Sequence, residues 1–97
     1  MMLTNYEFLQ KLQSEPCVNQ LILFGSRARG DARERSDIDL AIDCPSATGM
    51  DWRRLKDVID DADTLLKIDA VRYDALSEKS QLKHSINEEG VVLYVKK

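Results

Sequence analysis

The chain has few of the features that mark an exported protein, a membrane protein or a cysteine–histidine metal site. Its 97 residues include two cysteines, two prolines and one histidine, and neither cysteine has a second Cys or His at metal-ligand spacing. The amphipathic start, which contains Glu7, is not typical of an export signal. No apolar stretch approaches the roughly 20 residues that cross a bilayer. We therefore expect a cytoplasmic protein whose Cys17 and Cys44 are reduced thiols, with a disulfide between them as the alternative.

An excess of basic residues is also absent. The chain has 14 Lys and Arg against 17 Asp and Glu, which gives a net charge of −3. General nucleic-acid binders usually carry a basic footprint, so that class is not expected. Apolar residues make up 43% and charged residues 32%, as in folded domains. The length suits one hydrophobic core, and we predict a single domain over residues 1–97.

Hydrophobic periodicity predicts helices and strands in alternation. In order, the predicted elements are a helix to about residue 14, a strand over 20–24, a short helix over 26–31, a strand over 36–43, a long helix over 50–67, a strand over 67–73, a helix over 78–89 and a strand over 91–95. This order predicts an α/β (α+β) fold, a two-layer core with a mixed sheet of about four strands and helices packed on it.

The two later helices carry more detailed predictions. In the long helix, apolar residues recur at spacings of three and four as far as Leu65 and Leu66. For the last helix, Ser77 is the predicted N-cap. Leu82 and Ile86 are its predicted inward residues.

The most informative stretch is residues 24–40, FGSRARGDARERSDIDL. Gly25 and Ser26 leave a predicted strand and enter a predicted helix, where backbone N–H groups form a natural anion site. Glycine lets a phosphate approach the backbone closely, and the Ser26 hydroxyl adds a donor. The arginines that follow (27, 29, 33 and 35) make the segment locally positive. The alternative interpretation is an ordinary turn followed by solvated arginines.

Two carboxylates follow on the next predicted strand. Asp37 and Asp39 stand two residues apart, so their side chains point to the same face and repel each other. A divalent cation such as Mg²⁺, which prefers oxygen ligands, would remove that repulsion. The alternative is an edge strand with a wet face. Asp69 is the candidate third carboxylate. It lies inside a predicted strand, where a charge without a partner is costly, so a bound metal ion would account for its presence there. Asp74 falls at a strand end, where turn aspartates are common.

A phosphate-binding turn close to paired carboxylates suits a nucleoside triphosphate bridged by Mg²⁺. The arrangement resembles the nucleotidyltransferase superfamily that includes DNA polymerase β. That pattern is Gly25-Ser26, a gap of ten residues over 27–36, then Asp37-Ile38-Asp39, and later Asp69. The longer form of the motif, together with the tail LKHSINEEGVVLY, is similar to the minimal nucleotidyltransferase group. Members of that group are small prokaryotic proteins with only the catalytic core.

The resemblance implies roles for individual residues. The triphosphate of ATP or another NTP would be held by Gly25, Ser26 and Arg29. Two Mg²⁺ ions would be held by the three aspartates Asp37, Asp39 and Asp69. The third of these would also help to take the proton from an acceptor hydroxyl, which attacks the α-phosphate and releases pyrophosphate.

The resemblance also implies a partner. Such proteins are often encoded beside a HEPN-type or substrate-binding helical subunit. In several pairs the nucleotidyltransferase is an antitoxin that adds AMP to a tyrosine of the HEPN toxin. We therefore expect transfer of AMP from ATP to a hydroxyl of a HEPN-type partner. The alternatives are a small-molecule enzyme of the aminoglycoside-modifying kind and a non-catalytic module that masks its partner by contact.

Overall fold

Helices and strands alternate along the chain in the predicted order. The computed structural model describes residues 6–31, 33 and 36–96. Its elements are α1 (Glu7–Gln13), β1 (Gln20–Phe24), α2 (Ser26–Arg29), β2 (Ile38–Asp43), α3 (Gly49–Asp60), β3 (Ile68–Arg72), a 3₁₀ turn (Tyr73–Ala75), α4 (Gln81–Glu89) and β4 (Val91–Val95). No helix within these ranges combines the length and apolar character needed to cross a membrane.

The four strands form one mixed sheet in the order β3-β2-β1-β4. β1 runs antiparallel to both β2 and β4, whereas β2 and β3 are parallel. A parallel pair needs a crossover connection, and α3 is that connection. The predicted α+β fold with a mixed sheet of four strands is confirmed.

The helices cover the two faces of the sheet unequally. The larger core lies between the sheet and α1 and α3, and its fully buried side chains include Phe8, Leu12, Leu21, Leu40 and Leu55. On the opposite face a smaller cluster joins Ile86 of α4 to Ile22 and Ala41. The same face carries the strand position of Asp39, because residues 39 and 41 alternate with the buried 38, 40 and 42.

α3 is shorter than the predicted helix. It ends at Asp60, and Leu65, predicted to lie on its apolar face, is fully exposed. The cause is local: residues 61–64 read DADT, and Asp and Thr side chains compete with helical hydrogen bonding. The backbone N–H of Leu66 donates to Thr64 Oγ1 at 3.1 Å instead of continuing a helix.

α4 begins later than predicted. Ser80, not Ser77, is its N-cap, and the Ser80 hydroxyl accepts from the backbone N–H of Lys83 at 3.2 Å. Lys83 and Ile86 are the buried residues of α4, whereas Leu82 is exposed, so the predicted inward position is confirmed for Ile86 and wrong for Leu82. The Lys83 stem is buried while its Nζ reaches Glu78 at 2.8 Å, as long charged side chains commonly do.

Both cysteines are buried free thiols, as predicted. Burial, followed by the negative charge of Asp74, raises the pKa of the Cys44 thiol to about 12. A thiol in that state is a packing group, because the thiolate is the reactive form.

Candidate functional site

The turn after β1 has a backbone conformation that glycine alone adopts easily. Gly25 has φ 76° and ψ −155°, and its carbonyl accepts hydrogen bonds from the N–H groups of Ala28 and Arg29, both at 3.1 Å. A Cβ at this position would overlap Asp39 Oδ2. The two halves of the motif, separated by more than ten residues in sequence, are therefore in direct proximity. Ser26 is the first residue of α2.

Two of the three candidate carboxylates lie side by side on the sheet. Asp39 of β2 is in register with Asp69 of β3 on one side and with Phe24 of β1 on the other. Register partners project from the same face, on strands about 4.8 Å apart. Asp37 immediately precedes β2 and is exposed. The sheet thus places Asp39 between the glycine turn and Asp69.

The carboxylate of Asp39 is destabilised in its ionised form. Burial raises its pKa most, the negative charges of Asp69 and Asp37 raise it further, and the positive charge of Arg29 opposes them. A like charge held near a carboxyl group disfavours ionisation of that group. A bound cation would relieve this repulsion.

The Asp69 carboxylate lies near a lysine that immediately precedes β3. Its Oδ1 lies 3.7 Å from Lys67 Nζ, and both side chains are substantially exposed, so the ion pair is weak. In the part of the chain that the structure describes, no three His, Cys, Asp or Glu side chains are gathered as a metal site. The carboxylates Asp37, Asp39 and Asp69 nevertheless offer only oxygen donors, and their repulsion centres on Asp39. That chemistry fits Mg²⁺.

Arg29, the predicted phosphate contact, is held by two carboxylates. Its Nε lies 3.3 Å from Asp31 Oδ2, and its Nη1 lies 3.2 Å from Glu89 Oε2 on α4. Its charge also acts on Asp39. The guanidinium is therefore near the candidate site and engaged by acidic groups there.

Arg27 has a structural role that the sequence did not indicate. Its Nε and Nη2 donate to the backbone carbonyl of Ser36 at 3.2 and 2.7 Å. This ties α2 to the backbone that leads directly into Asp37. Nothing in the sequence pattern distinguishes Arg27 from its neighbours, because its acceptor is a main-chain atom. Arg35 lies outside the described residues.

Asp74 lies outside the candidate site, as its predicted position at a strand end indicated. It accepts hydrogen bonds from the Cys44 N–H and from Arg72 Nε, both at 2.9 Å, beyond the opposite end of the parallel strands. Glu89, by contrast, reaches the site from the C-terminal tail. The resemblance of that tail to the minimal nucleotidyltransferase group was the only sequence signal that pointed to this region.

Comparisons with known proteins agree with the fold and with the family that the sequence resembles. The family model "Polymerase beta, Nucleotidyltransferase" matches residues 7–97. A solved structure described as a toxin–antitoxin with AMP-PNP superposes with a TM-score of 0.64 at 23% identity, covering 93% of this chain and 73% of that chain. A mutant of the toxin–antitoxin MntA-HpeT superposes with a TM-score of 0.61 at 20% identity, covering 92% of this chain and 71% of the other. Among curated proteins no match is found.

Proposed function

This chain belongs to the polymerase beta nucleotidyltransferase family, and on that premise we propose that it transfers AMP from ATP to a hydroxyl group of a partner protein. One observation carries the proposal. Asp39 is in register with Asp69 and in close contact with the position of Gly25, so the carboxylates and the glycine turn share one face. Transfer of a nucleotidyl group consists mainly of positioning and charge neutralisation, which such a face provides.

The proposed metal-binding and phosphate-binding roles fall on different residues of the site. Asp37, Asp39 and Asp69 would hold Mg²⁺, two ions by the family pattern, and the metal would neutralise charge on the triphosphate when bound. The backbone and hydroxyl of Gly25-Ser26 receive the phosphates.

The transfer step uses Arg29 and Asp69. The guanidinium of Arg29 pairs with phosphate oxygens in the geometry that favours arginine at such sites. Asp69 is the carboxylate that takes the acceptor proton. A bond then forms between the acceptor oxygen and the α-phosphorus, and the bond from that phosphorus to the bridging oxygen of pyrophosphate breaks.

The similar solved structures support the choice of donor and partner. Both are toxin–antitoxin structures, and one contains AMP-PNP. The other carries two aspartate-to-glutamate substitutions two positions apart, the spacing that separates Asp37 and Asp39 here. By this fold-level analogy we propose ATP as the donor and a helical HEPN-type toxin as the acceptor, with this chain acting as the cytoplasmic antitoxin.

The test is a transfer assay with ATP labelled at the α-phosphate. The chain, Mg²⁺ and the protein encoded beside it are incubated together, and label is expected on a hydroxyl of that partner. Asp39→Ala should lower the rate by at least about a hundredfold, because it removes a group that stabilises transition-state charge. Asp57→Ala, the same change on the exposed side of α3, should leave the rate unaltered.

Other outcomes identify the alternatives. Label that reaches a hydroxylated small molecule instead of the partner would establish the small-molecule enzyme. Full protection of cells by a chain with Asp37→Ala and Asp39→Ala together would establish masking by contact.

A further inference from the structure

The C-terminal end of α4 lies at the candidate site. Ile86 of α4 packs against the face that carries Asp39, and the chain turns at Gly90 into β4, where Val91 pairs with Leu23 of β1. A Cβ at Gly90 would overlap the Ile86 carbonyl oxygen, so this turn is tight. The end of α4 is therefore held next to the end of β1 from which the glycine turn emerges.

The last residue of α4 uses this position to reach Arg29. Glu89 Oε2 lies 3.2 Å from Arg29 Nη1, across 60 positions of sequence. Asp31 occupies the Nε edge of the same guanidinium at 3.3 Å. The side chains of Arg29 and Glu89 are 46% and 43% exposed, so incoming solutes can reach the pair. Both hydrogen-bonding edges of Arg29 that a phosphate would use are thus engaged by carboxylates.

We propose that Glu89 is a positioning residue that sets the affinity for the triphosphate by competing with phosphate for Arg29. The inference rests on the proposed function, because it assigns Arg29 to the triphosphate. An exposed ion pair contributes little, so a triphosphate, which forms stronger charge-assisted hydrogen bonds, displaces Glu89. The stability of the Arg29–Glu89 pair is then subtracted from the free energy of binding.

The size of this competition follows from the exposure of the pair. Exposed ion pairs stabilise by about 0.2–1 kcal/mol, so breaking one weakens binding by up to roughly fivefold. Replacing the carboxylate with an amide of the same shape should remove most of this cost. Glu89→Gln is therefore expected to bind triphosphate more tightly than the unaltered chain, by up to about fivefold.

The test is calorimetric titration of the full chain with inorganic tripolyphosphate and, separately, with ATP and Mg²⁺. Glu88→Gln is the matched control. It removes the same charge from the neighbouring position, where the carboxylate lies 3.7 Å from exposed His84 instead of Arg29. A general reduction in negative charge would tighten binding equally in both variants, whereas competition for Arg29 tightens it in Glu89→Gln alone.

A second background shows whether Glu89 acts through the arginine. In a chain carrying Arg29→Gln, adding Glu89→Gln should change tripolyphosphate affinity by less than the change measured in the native background. In the transfer assay the effect of Glu89→Gln should fall on KM for ATP instead of kcat.

The inference is overturned if Glu89→Gln binds tripolyphosphate as Glu88→Gln does, binds it more weakly, or binds none. The calorimetric result needs no transfer chemistry. Failure of the proposed function would instead appear as absence of label transfer, whether or not tripolyphosphate binds.

Discussion

Acidic residues lie at both ends of the parallel strands β2 and β3, but their surroundings differ. At their second residues, Asp39 and Asp69 stand in register on one face, and after burial the charges of Asp69 and Asp37 disfavour ionisation of Asp39. Just beyond their last residues, Asp74 accepts from the Cys44 N–H and from Arg72. Arg72 also donates to the carbonyls of Cys44 and Ala47, at 3.0 and 2.9 Å, so the second end is a closed network.

The pKa directions express the same contrast. Burial acts to raise the pKa of Asp74, but the hydrogen bonds from Cys44 and Arg72 and the charge of Arg72 outweigh it and hold that pKa below its usual value. The pKa of Asp39 is raised by burial and then by like charges. Asp74, which has hydrogen-bond donors within the chain, stabilises the fold. Asp39, which lies near other carboxylates, is a candidate for binding a cation from solution.

The largest combined loss of stability and activity is expected from altering the glycine that adjoins Asp39. Gly25→Ala forces an L-residue into a conformation essentially restricted to glycine, which costs about 1–3 kcal/mol. Its methyl group also displaces the Asp39 carboxylate. We expect transfer activity to fall by more than about tenfold even in protein that remains folded, since small displacements of catalytic groups are costly. Activity per folded molecule, with folding followed by circular dichroism, is the measurement.

Gly30→Ala is the matched control for Gly25→Ala. Gly30 also has a positive φ, 84°, but among the described residues no atom beyond its chain neighbours lies within 4 Å of a Cβ built there. It should lose about 1 kcal/mol of stability from the left-handed backbone and keep its activity. Equal losses of activity in the two variants would show that contact with Asp39 is irrelevant.

The next effect lies at the closed end of the strands. Asp74→Ala removes the carboxylate that accepts from the Cys44 N–H and from Arg72 Nε in a partly buried setting. We expect the free energy of unfolding to fall by about 1–3 kcal/mol, measured by urea denaturation. Asp57→Ala on the exposed side of α3 should change it by less than about 0.5 kcal/mol. An unaltered urea midpoint for Asp74→Ala would show that the hydrogen bonds to Asp74 do not stabilise the fold.

The smallest change in the free energy of unfolding should have the opposite sign. Asp39→Asn removes a charge that burial and its neighbours disfavour, so at pH 7 it should stabilise the fold by about 0.5–1 kcal/mol, while abolishing most transfer activity. The measurement is urea denaturation of the variant and the unaltered chain at several pH values. A variant less stable than the unaltered chain at pH 7 would contradict the electrostatic account.

Asp39 and Asp74 should also differ in how their contributions to stability depend on pH. The folded-state pKa of Asp39 is raised above 3.8. The destabilisation of the fold by ionised Asp39 is therefore fully present above the raised pKa and disappears as the pH falls through that pKa. The advantage of Asp39→Asn should therefore vanish in acid. Asp74 has a lowered pKa, so its contribution is present above 3.8 and is lost only as the pH falls through the lower, folded-state value.

Much of the fold was predictable because its signals are local. Alternating apolar residues in 38–42 and the apolar run of β1 defined the strands, and the order of elements followed from them. The end of α3 was missed because apolar spacing continued to Leu65 while the Asp and Thr residues between favoured a turn. For α4, two serines three residues apart both have N-cap chemistry. The structure places the cap at Ser80, whose hydroxyl accepts from the backbone N–H of Lys83.

By itself, the sequence determined the element order, the family motif and the candidate residues, because hydrophobic periodicity and glycine chemistry act over a few neighbouring positions. Only the tertiary structure decided that Asp39 pairs in register with Asp69, that Arg27 holds Ser36 and that Arg29 meets Glu89. Those juxtapositions join distant segments, and strand register and side-chain contacts between such segments are set by how the whole core packs.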